Sequence, residues 1–229
     1  MAIASGTPLH LDPNDPRVLI GSGIALRRAG RLQEAADVFW QALAIPQTLF
    51  KIHPEFDHLL ADILRRDPRG RVVLVRGHCE QWRVKLAERF KRVVPDVAQR
   101  IVFTPERPLP EFMQLLQTAD VILDTIHFNG MNSSLEALAV GTPVVTLPKG
   151  LQRGRHTQAM YRKMEIPDCV AEDERGYVDI AVRIGNDRGY RGLLQRTILE
   201  RSGVLYENSA VTREFERFFT AAVRRAGSS

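Results

Sequence analysis

Two patterns of apolar and polar positions follow one another along the chain. From Pro16 to Ile45, apolar residues recur at helical spacing with one interruption at Gly30, which predicts two helices joined by a turn. After Pro46, short apolar runs alternate with longer stretches of helical spacing, and this predicts strands and helices in turn. Strands connected by helices of this length need right-handed crossovers. The predicted fold class is therefore α/β, with a Rossmann-like parallel sheet covered on both faces.

The same patterns locate the individual elements of the α/β part. Amphipathic spacing predicts helices at PEFDHLLADILRRDP, EQWRVKLAERFKRVV, PLPEFMQLLQTA and SSLEALAV. Runs rich in β-branched residues predict strands at RVVLVRG, RIVFTP, VILDT and PVVTLP. From about Gly154 onward the chain is predicted to be mostly helical, and such C-terminal helices pack across a sheet or bridge to a second lobe.

The helical segment that precedes the α/β part resembles one tetratricopeptide repeat. The positions that carry this likeness are Gly23, Gly30, Ala35, Phe39 and Ala42. A solenoid of this kind normally needs about three repeats to bury its faces, so an ordinary helical hairpin packed on the next domain is the alternative. We therefore predict a helical segment over residues 1–45 and an α/β lobe with C-terminal helices over residues 46–229.

Composition narrows the class of protein. With 229 residues and 44% hydrophobic content, the chain can bury one full core, or one core and a small appendage. Its apolar runs are shorter than the roughly 20 residues that a membrane span needs, and its start has neither the basic nor the apolar region of a signal peptide. Cys79 and Cys169 lie far apart without CxxC spacing, which indicates reduced thiols. We therefore expect a cytoplasmic protein with no membrane partner.

Charge and motif content exclude several function classes. The net charge is +5, with basic residues scattered among acidic ones; no nucleic-acid-binding pattern occurs, so we predict no nucleic-acid partner. His53, His58 and His78 have no partner at metal-ligand spacing along the chain, which predicts no metal site. The chain contains no GxGxxG, Walker or GxSxG motif, which argues against the common dehydrogenases, NTPases and hydrolases.

Candidate chemistry is concentrated in FNGMNSSLEALAV, which lies between the predicted strand VILDT and the next predicted helix. In an open parallel sheet, ligands bind beyond the carboxyl ends of the strands, where loops lead into helix N-termini. Ser133 and Ser134 can cap this helix, whose first N–H groups and positive dipole end attract a diphosphate. Glu136 in the first turn could reach a ribose diol. The alternative is an ordinary capped helix with a solvent-facing glutamate.

Basic residues in two other loops could meet the same ligand. Lys51, in PQTLFKIHP, stands among apolar neighbours just before a predicted helix, where an ammonium could contact phosphate, although most loop lysines are surface lysines. Arg153, Arg155 and His156 follow the strand PVVTLP; the alternative for them is a basic, solvated helix start. His127 directly follows VILDT and could line the crevice, but a structural or exposed histidine is the interpretation that we favour.

Taken in order, these motifs resemble the C-terminal catalytic lobe of bacterial O-GlcNAc transferases that carry tetratricopeptide repeats. The likeness runs from about Pro46 to about Phe219 and rests on PQTLFKIHPEFDHLLADILRRDP, RIVF, ADVILDT, FNGMNSSLEALAVGTPVVTLP, RGRHTQAMYRKM and GYVDIAVRIGND. This family has two Rossmann-like lobes in the GT-B arrangement. It transfers N-acetylglucosamine from UDP-GlcNAc to serine or threonine of proteins, with inversion and with neither a metal nor another cofactor.

For the loop before the first predicted α/β helix, the resemblance implies contacts with the nucleotide. Lys51 matches the lysine that contacts the UDP phosphates, and Gln47 is close to a glutamine that helps to hold the nucleotide. A histidine and an arginine near the nucleotide in the animal enzymes fall at Phe112 and Leu115 here. The contacts that this histidine and arginine make with the uracil or the phosphates are therefore not expected here.

For the start of the helix SSLEALAV, the resemblance implies contacts with the diphosphate and the ribose. Asn132 and Ser133 match polar positions that contact the diphosphate, and Ser134 lies beside them. Glu136 matches the acidic residue that binds the ribose. Where the animal enzymes have a histidine ahead of these positions, this chain has Met131.

The resemblance also indicates an absence. In the family, a further lobe between the repeats and PQTLFKI supplies the acceptor side of the cleft and a candidate general-base histidine, whereas here Ile45 runs directly into Pro46. The apolar strand expected before PQTLFKI is missing as well, unless FWQALAI, which is predicted to be helical, takes its place. The catalytic residues are therefore unassigned, and a base would come from a separate chain carrying that lobe or from an unrecognised substitute.

Three hypotheses follow for the function. The first is a glycosyltransferase of the protein O-GlcNAc transferase type, which would bind UDP-GlcNAc and a protein acceptor. The second is a non-catalytic module that binds a UDP-sugar, or a protein partner through the repeat. The third is a UDP-GlcNAc 2-epimerase-like protein, against which the predicted repeat argues.

Overall fold

A computed structural model of the protein describes residues 42–75 and 77–226. Within these residues, five strands form one parallel sheet with the order β3-β2-β1-β4-β5. The strands are β1 (Ala42–Ile45), β2 (Arg71–Val75), β3 (Ile101–Thr104), β4 (Val121–Leu123) and β5 (Val144–Val145). The predicted α/β fold with a Rossmann-like parallel sheet is therefore confirmed.

Eight α-helices occur in the described part of the chain. They are α1 (Pro54–Arg66), α2 (Glu80–Val93), α3 (Leu109–Thr118), α4 (Asn132–Ala139), α5 (His156–Met164), α6 (Glu174–Asn186), α7 (Arg188–Arg201) and α8 (Ser209–Ala226). The helices predicted between the strands are all present, and the C-terminal part is helical as expected. The predicted helical hairpin lies outside the described residues, apart from its last four positions.

Those last four positions overturn one prediction. Ala42–Ile45 was predicted to end a helix, but it is the central strand of the sheet, paired with β2 on one side and β4 on the other. Alanine and leucine favour helices locally, yet parallel pairing on two sides and nearly complete burial outweigh that preference. This segment is therefore the apolar strand that seemed to be missing before PQTLFKI, and the α/β lobe begins no later than Ala42.

The position of α1 illustrates how the sequence sets the elements that follow β1. Pro54 occupies the first turn, where its fixed φ suits a helix and its missing N–H costs nothing. His53 is the N-cap, and its Nδ1 accepts a hydrogen bond from the N–H of Glu55 at 3.3 Å. The apolar face of α1 packs on α6, and Phe56 meets Tyr177 edge to face at 5.9 Å between ring centroids.

No helix in residues 42–75 and 77–226 is both long enough and apolar enough to cross a membrane.

Tyr177 connects the helical layer to the end of β4, and this contact gives a first prediction. Its fully buried hydroxyl donates a hydrogen bond to the carbonyl oxygen of Asp124 at 3.0 Å. Tyr177→Phe is expected to lower the free energy of unfolding by about 1 kcal/mol, because it removes one buried hydrogen bond and keeps the ring. Urea denaturation measures this change. Tyr190→Phe, which removes the more exposed contact with Asp168, is the control and is expected to have a smaller effect; equal effects would contradict the prediction.

Candidate functional site

The order of the strands locates a crevice. The chain runs from β1 outward through β2 to β3, and then returns to the other side of β1 as β4. The loops that follow β1 and β4 therefore leave the sheet in opposite directions, and in open α/β sheets the ligand binds between two such loops. Gln47 and Lys51 lie in the first loop, and the predicted diphosphate segment lies in the second.

Asp124 links the loops that line this crevice. It directly follows β4, is fully buried, and accepts hydrogen bonds from the N–H of Gly130 at 2.7 Å, Thr146 Oγ1 at 2.9 Å and Gln47 Nε2 at 3.3 Å. Burial raises the pKa of Asp124 to about 6, and the hydrogen bonds and the nearby Lys51 charge oppose this shift. One carboxylate thus connects the segments after β1, β4 and β5, a role that sequence reasoning missed.

Lys51 brings a positive charge to the crevice. It ends a short 3₁₀ helix, Leu49–Lys51, and its Nζ donates to the carbonyl oxygen of Asn129 at 3.1 Å. The same Nζ lies 4.1 Å from the ring centroid of Phe128, a cation–π contact. Partial burial lowers the pKa of Lys51, whereas the negative charge of Asp124 raises it. A partly desolvated ammonium at this position interacts more strongly with a phosphate than a fully solvated one does.

Two amide side chains leave buried oxygen atoms without a hydrogen-bond donor among the described residues. These atoms are Oε1 of Gln47 and Oδ1 of Asn129. The nitrogen of each amide is already used, because Gln47 donates to Asp124 and Asn129 donates to the carbonyl oxygen of Thr125 at 2.7 Å. A buried acceptor without a donor costs about 1–3 kcal/mol. Both atoms belong to the loops that follow β1 and β4, on the two sides of the crevice.

Gly130 allows the loop after β4 to approach the start of α4. A Cβ atom at this position would lie 2.6 Å from Ser134 Oγ, 2.7 Å from Ser133 Oγ and 2.8 Å from Gln47 Nε2. These distances are too short for any side chain, so only glycine fits without moving the site. The close approach brings the loop that contains Asn129 against the N-terminus of α4.

The helix α4 starts differently from the sequence prediction. It begins at Asn132, and the N-cap is Met131, which makes no side-chain capping hydrogen bond. The predicted cap by Ser133 and Ser134 is therefore wrong. Ser134 is fully buried, and its hydroxyl shares a hydrogen bond with Thr157 Oγ1 of α5 at 3.0 Å, which draws it into the interior. This contact argues against a direct role of Ser134 in holding a ligand.

The other predicted residues of α4 lie where a ligand can reach them. Asn132 is exposed, and Ser133 and Glu136 are partly exposed. The first N–H groups of an α-helix lack carbonyl partners within the helix, so this uncapped end can donate to an anion. Glu136 was predicted in the first turn, but the helix starts at Asn132, so Glu136 lies one turn further along.

The basic segment after β5 contributes to the site through its backbone. The carbonyl oxygen of Arg153 accepts a hydrogen bond from the N–H of Asn129 at 2.7 Å, which holds the loop after β4 in place. The side chains of Arg153 and Arg155 are exposed, and His156 begins α5.

A cavity of about 300 Å³ opens beside Pro46 and Thr48 and was not predicted from the sequence. It lies at the carboxyl ends of β1 and β2 and at the start of α3. Its apolar lining includes Pro46, Val75, Leu109 and Phe112. Phe112 therefore lies in the cavity wall, whereas Leu115 is buried in the core. A volume of this size is at the lower end of small-molecule sites.

The parallel sheet, with a polar crevice at the point where the strand order reverses, defines the class of protein. It is the architecture of the C-terminal lobe of a GT-B glycosyltransferase. A point mutant of the Thermobaculum terrenum O-GlcNAc transferase superposes with a TM-score of 0.73 at 25% identity, over 82% of this chain and 37% of that chain. Anabaena HepE in complex with UDP superposes with a TM-score of 0.59 at 17% identity, over 87% of this chain and 54% of that chain, a likeness that concerns the fold alone.

The family follows from the sequence match. Residues 23–212 match glycosyl transferase family 41, and the chain belongs to this family. The UDP-N-acetylglucosamine--peptide N-acetylglucosaminyltransferase of Caenorhabditis elegans is 38% identical over 88 residues, which is 38% of this chain and 8% of that protein. This chain thus spans a small part of the length of that relative. The resemblance to O-GlcNAc transferases is confirmed, and family membership decides against the 2-epimerase-like alternative.

Proposed function

We propose that the crevice binds UDP-GlcNAc and that the chain provides the donor side of a protein O-GlcNAc transferase, which transfers the sugar to serine or threonine of a protein acceptor. The observation that carries this proposal is the grouping of Lys51, the uncapped start of α4 and the amide oxygens of Gln47 and Asn129 on loops that Asp124 connects. Family membership and the resemblance of the motifs support the choice of ligand.

Each part of the site suits one part of a UDP-sugar. The ammonium of Lys51 and the N–H groups at the start of α4 suit the diphosphate, and Glu136 on the same helix suits the ribose diol. The cavity beside Pro46 and Thr48, with Phe112 and Leu109 in its wall, suits the flat uracil ring.

The same groups explain how donor binding would assist the reaction. As the bond between the sugar and the diphosphate breaks, negative charge grows on the departing UDP. A fixed cation and a helix N-terminus stabilise this charge without needing to reorganise during the reaction. The acceptor hydroxyl loses its proton to a base that the proposal leaves unassigned.

Two measurements test the proposal. Calorimetric titration of the purified chain with UDP is expected to show saturable binding to one site. Incubation with UDP-GlcNAc and a serine- or threonine-containing peptide is then followed by UDP release and by the mass of the peptide. A glycosylated peptide supports the transferase. Binding without transfer favours the non-catalytic UDP-sugar module, and absence of UDP binding contradicts both.

Glu136 gives a more specific prediction for the ribose. Glu136→Gln is expected to weaken UDP binding by about fivefold to tenfold, because a charged acceptor of ribose hydroxyl groups contributes more than 1 kcal/mol. The affinity for 2′,3′-dideoxy-UDP, which lacks those hydroxyl groups, is expected to stay the same in both proteins. Glu200→Gln, an exposed change on α7, is the charge-matched control. If Glu136→Gln weakened both nucleotides equally, Glu136 would not contact the ribose.

A further inference from the structure

Three side chains beside the crevice bring metal-ligand atoms together. His53 and Glu55 lie at the start of α1, and His127 lies 72 residues beyond Glu55 in the loop after β4. One ligand atom of each residue lies within 4.8 Å of those of the other two. His127 Nε2 is 2.8 Å from Glu55 Oε2, and His53 Nδ1 is 3.8 Å from the same oxygen. The prediction that His53 lacks a partner therefore fails in the fold, because spacing along the chain does not reveal this contact.

The backbone fixes the positions of these residues. His53 is the N-cap of α1, and Glu55 lies in the first turn after Pro54. His127 has a left-handed backbone conformation with φ of 66°, which costs an ordinary residue about 1–2 kcal/mol. The two imidazole rings meet edge to face with their centroids 4.7 Å apart. A surface ion pair alone contributes roughly 0–1 kcal/mol and does not require such a backbone.

We propose that His53, Glu55 and His127 form a binding site for a divalent transition metal, with Zn²⁺ as the best fit. Two imidazoles and one carboxylate are a common donor set for zinc with one open position. Ligand atoms about 2.0–2.1 Å from zinc lie about 3.3–3.5 Å from each other in a tetrahedron, so the observed separations need small side-chain movements. Coordination through Nδ1 of His53 would replace the hydrogen bond that this atom accepts from the N–H of Glu55. All three side chains are partly or largely exposed, which leaves the ion a route of entry.

The charges around the cluster indicate the strength of the site. Glu55 supplies the one carboxylate of the cluster, and its side chain is 57% exposed. Lys149 is the other charged group near Glu55. Its Nζ lies 3.9 Å from Oε1 of Glu174. Its positive charge opposes a cation and weakens metal binding at the cluster.

The metal would join two segments that border the proposed donor site. His127 lies in the same loop as Asn129, whose carbonyl oxygen accepts the hydrogen bond from Lys51. A metal held between α1 and this loop would restrict the movement of the loop. The metal site itself needs no nucleotide, so its test is independent of the proposed transferase function.

The experiment measures Zn²⁺ binding to the full chain by calorimetry without nucleotide, and Co²⁺ binding by its visible absorption. We expect one ion per chain at this site and the intense absorption bands of tetrahedral Co²⁺. His127→Asn and His53→Asn remove one imidazole each, while asparagine tolerates a left-handed backbone and serves as an N-cap. Each variant is expected to weaken Zn²⁺ binding roughly 10–100-fold. Loss of a residue that only hydrogen-bonds to a metal ligand already reduces metal affinity by this amount.

His58→Asn is the matched control, because His58 is exposed on α1 outside the cluster. It is expected to leave the affinity for Zn²⁺ unchanged. The proposal is overturned if wild-type protein shows no saturable Zn²⁺ binding, or if the two cluster variants bind Zn²⁺ as tightly as His58→Asn does. Circular dichroism of each variant establishes that it is folded.

Discussion

Lys51→Ala is expected to weaken the binding of UDP about tenfold to hundredfold. Hydrogen bonds between charged groups contribute about 1.5–3 kcal/mol, and partial burial of Lys51 reduces the competition from water. The fold is expected to survive, because the Lys51 ammonium makes one hydrogen bond to Asn129 and one contact with the ring of Phe128. Calorimetric titration of both proteins with UDP measures the effect.

A control variant distinguishes the loss of a phosphate contact from a general loss of positive charge. Lys91→Ala removes the same charge from an exposed position in the last turn of α2 and is expected to leave the affinity unchanged. Uridine lacks phosphates and is expected to bind more weakly than UDP. Its affinity is expected to be the same for wild type and for Lys51→Ala. If Lys51→Ala bound UDP within twofold of wild type, Lys51 would be excluded from the donor site.

The parts of the fold that the sequence predicts are those governed by repeating local patterns. Alternation of β-branched runs and amphipathic stretches indicated a parallel sheet, and the rule for loops at strand ends located the crevice between Lys51 and the start of α4. The segment Ala42–Ile45 was misassigned, because its residues favour a helix and only pairing with β2 and β4 makes it a strand.

The parts of the site that the sequence does not predict depend on contacts between distant residues. Ser134 looked like a capping residue, but Thr157 of another helix draws its hydroxyl inward. Asp124 was not singled out in the sequence, although it accepts hydrogen bonds from the segments after β1, β4 and β5. The cluster of His53 and His127 likewise arises only when the loop after β4 lies beside α1.

The buried carboxyl of Asp124 predicts a specific dependence of stability on pH. Burial raises its pKa from 3.8 to about 6, so the folded protein holds this proton more tightly than the unfolded chain does. The resulting stabilisation is fully present below about pH 4 and is lost as the pH rises through about 6. A shift of this size corresponds to about 3 kcal/mol.

Asp124→Asn isolates this contribution from those of the other carboxyl groups. The amide oxygen of asparagine can accept from Gly130 and Gln47, while its NH₂ group donates to the hydroxyl of Thr146, so the site keeps its shape without a titrating group. Urea denaturation at a series of pH values is expected to show that wild type loses about 3 kcal/mol relative to Asp124→Asn between about pH 3 and 7, with about 2 kcal/mol of this loss between about pH 4 and 6. Parallel curves would show that Asp124 titrates normally. The carboxylate of Asp124 therefore lowers the stability of the fold near neutral pH. The same carboxylate orders the loops of the proposed donor site.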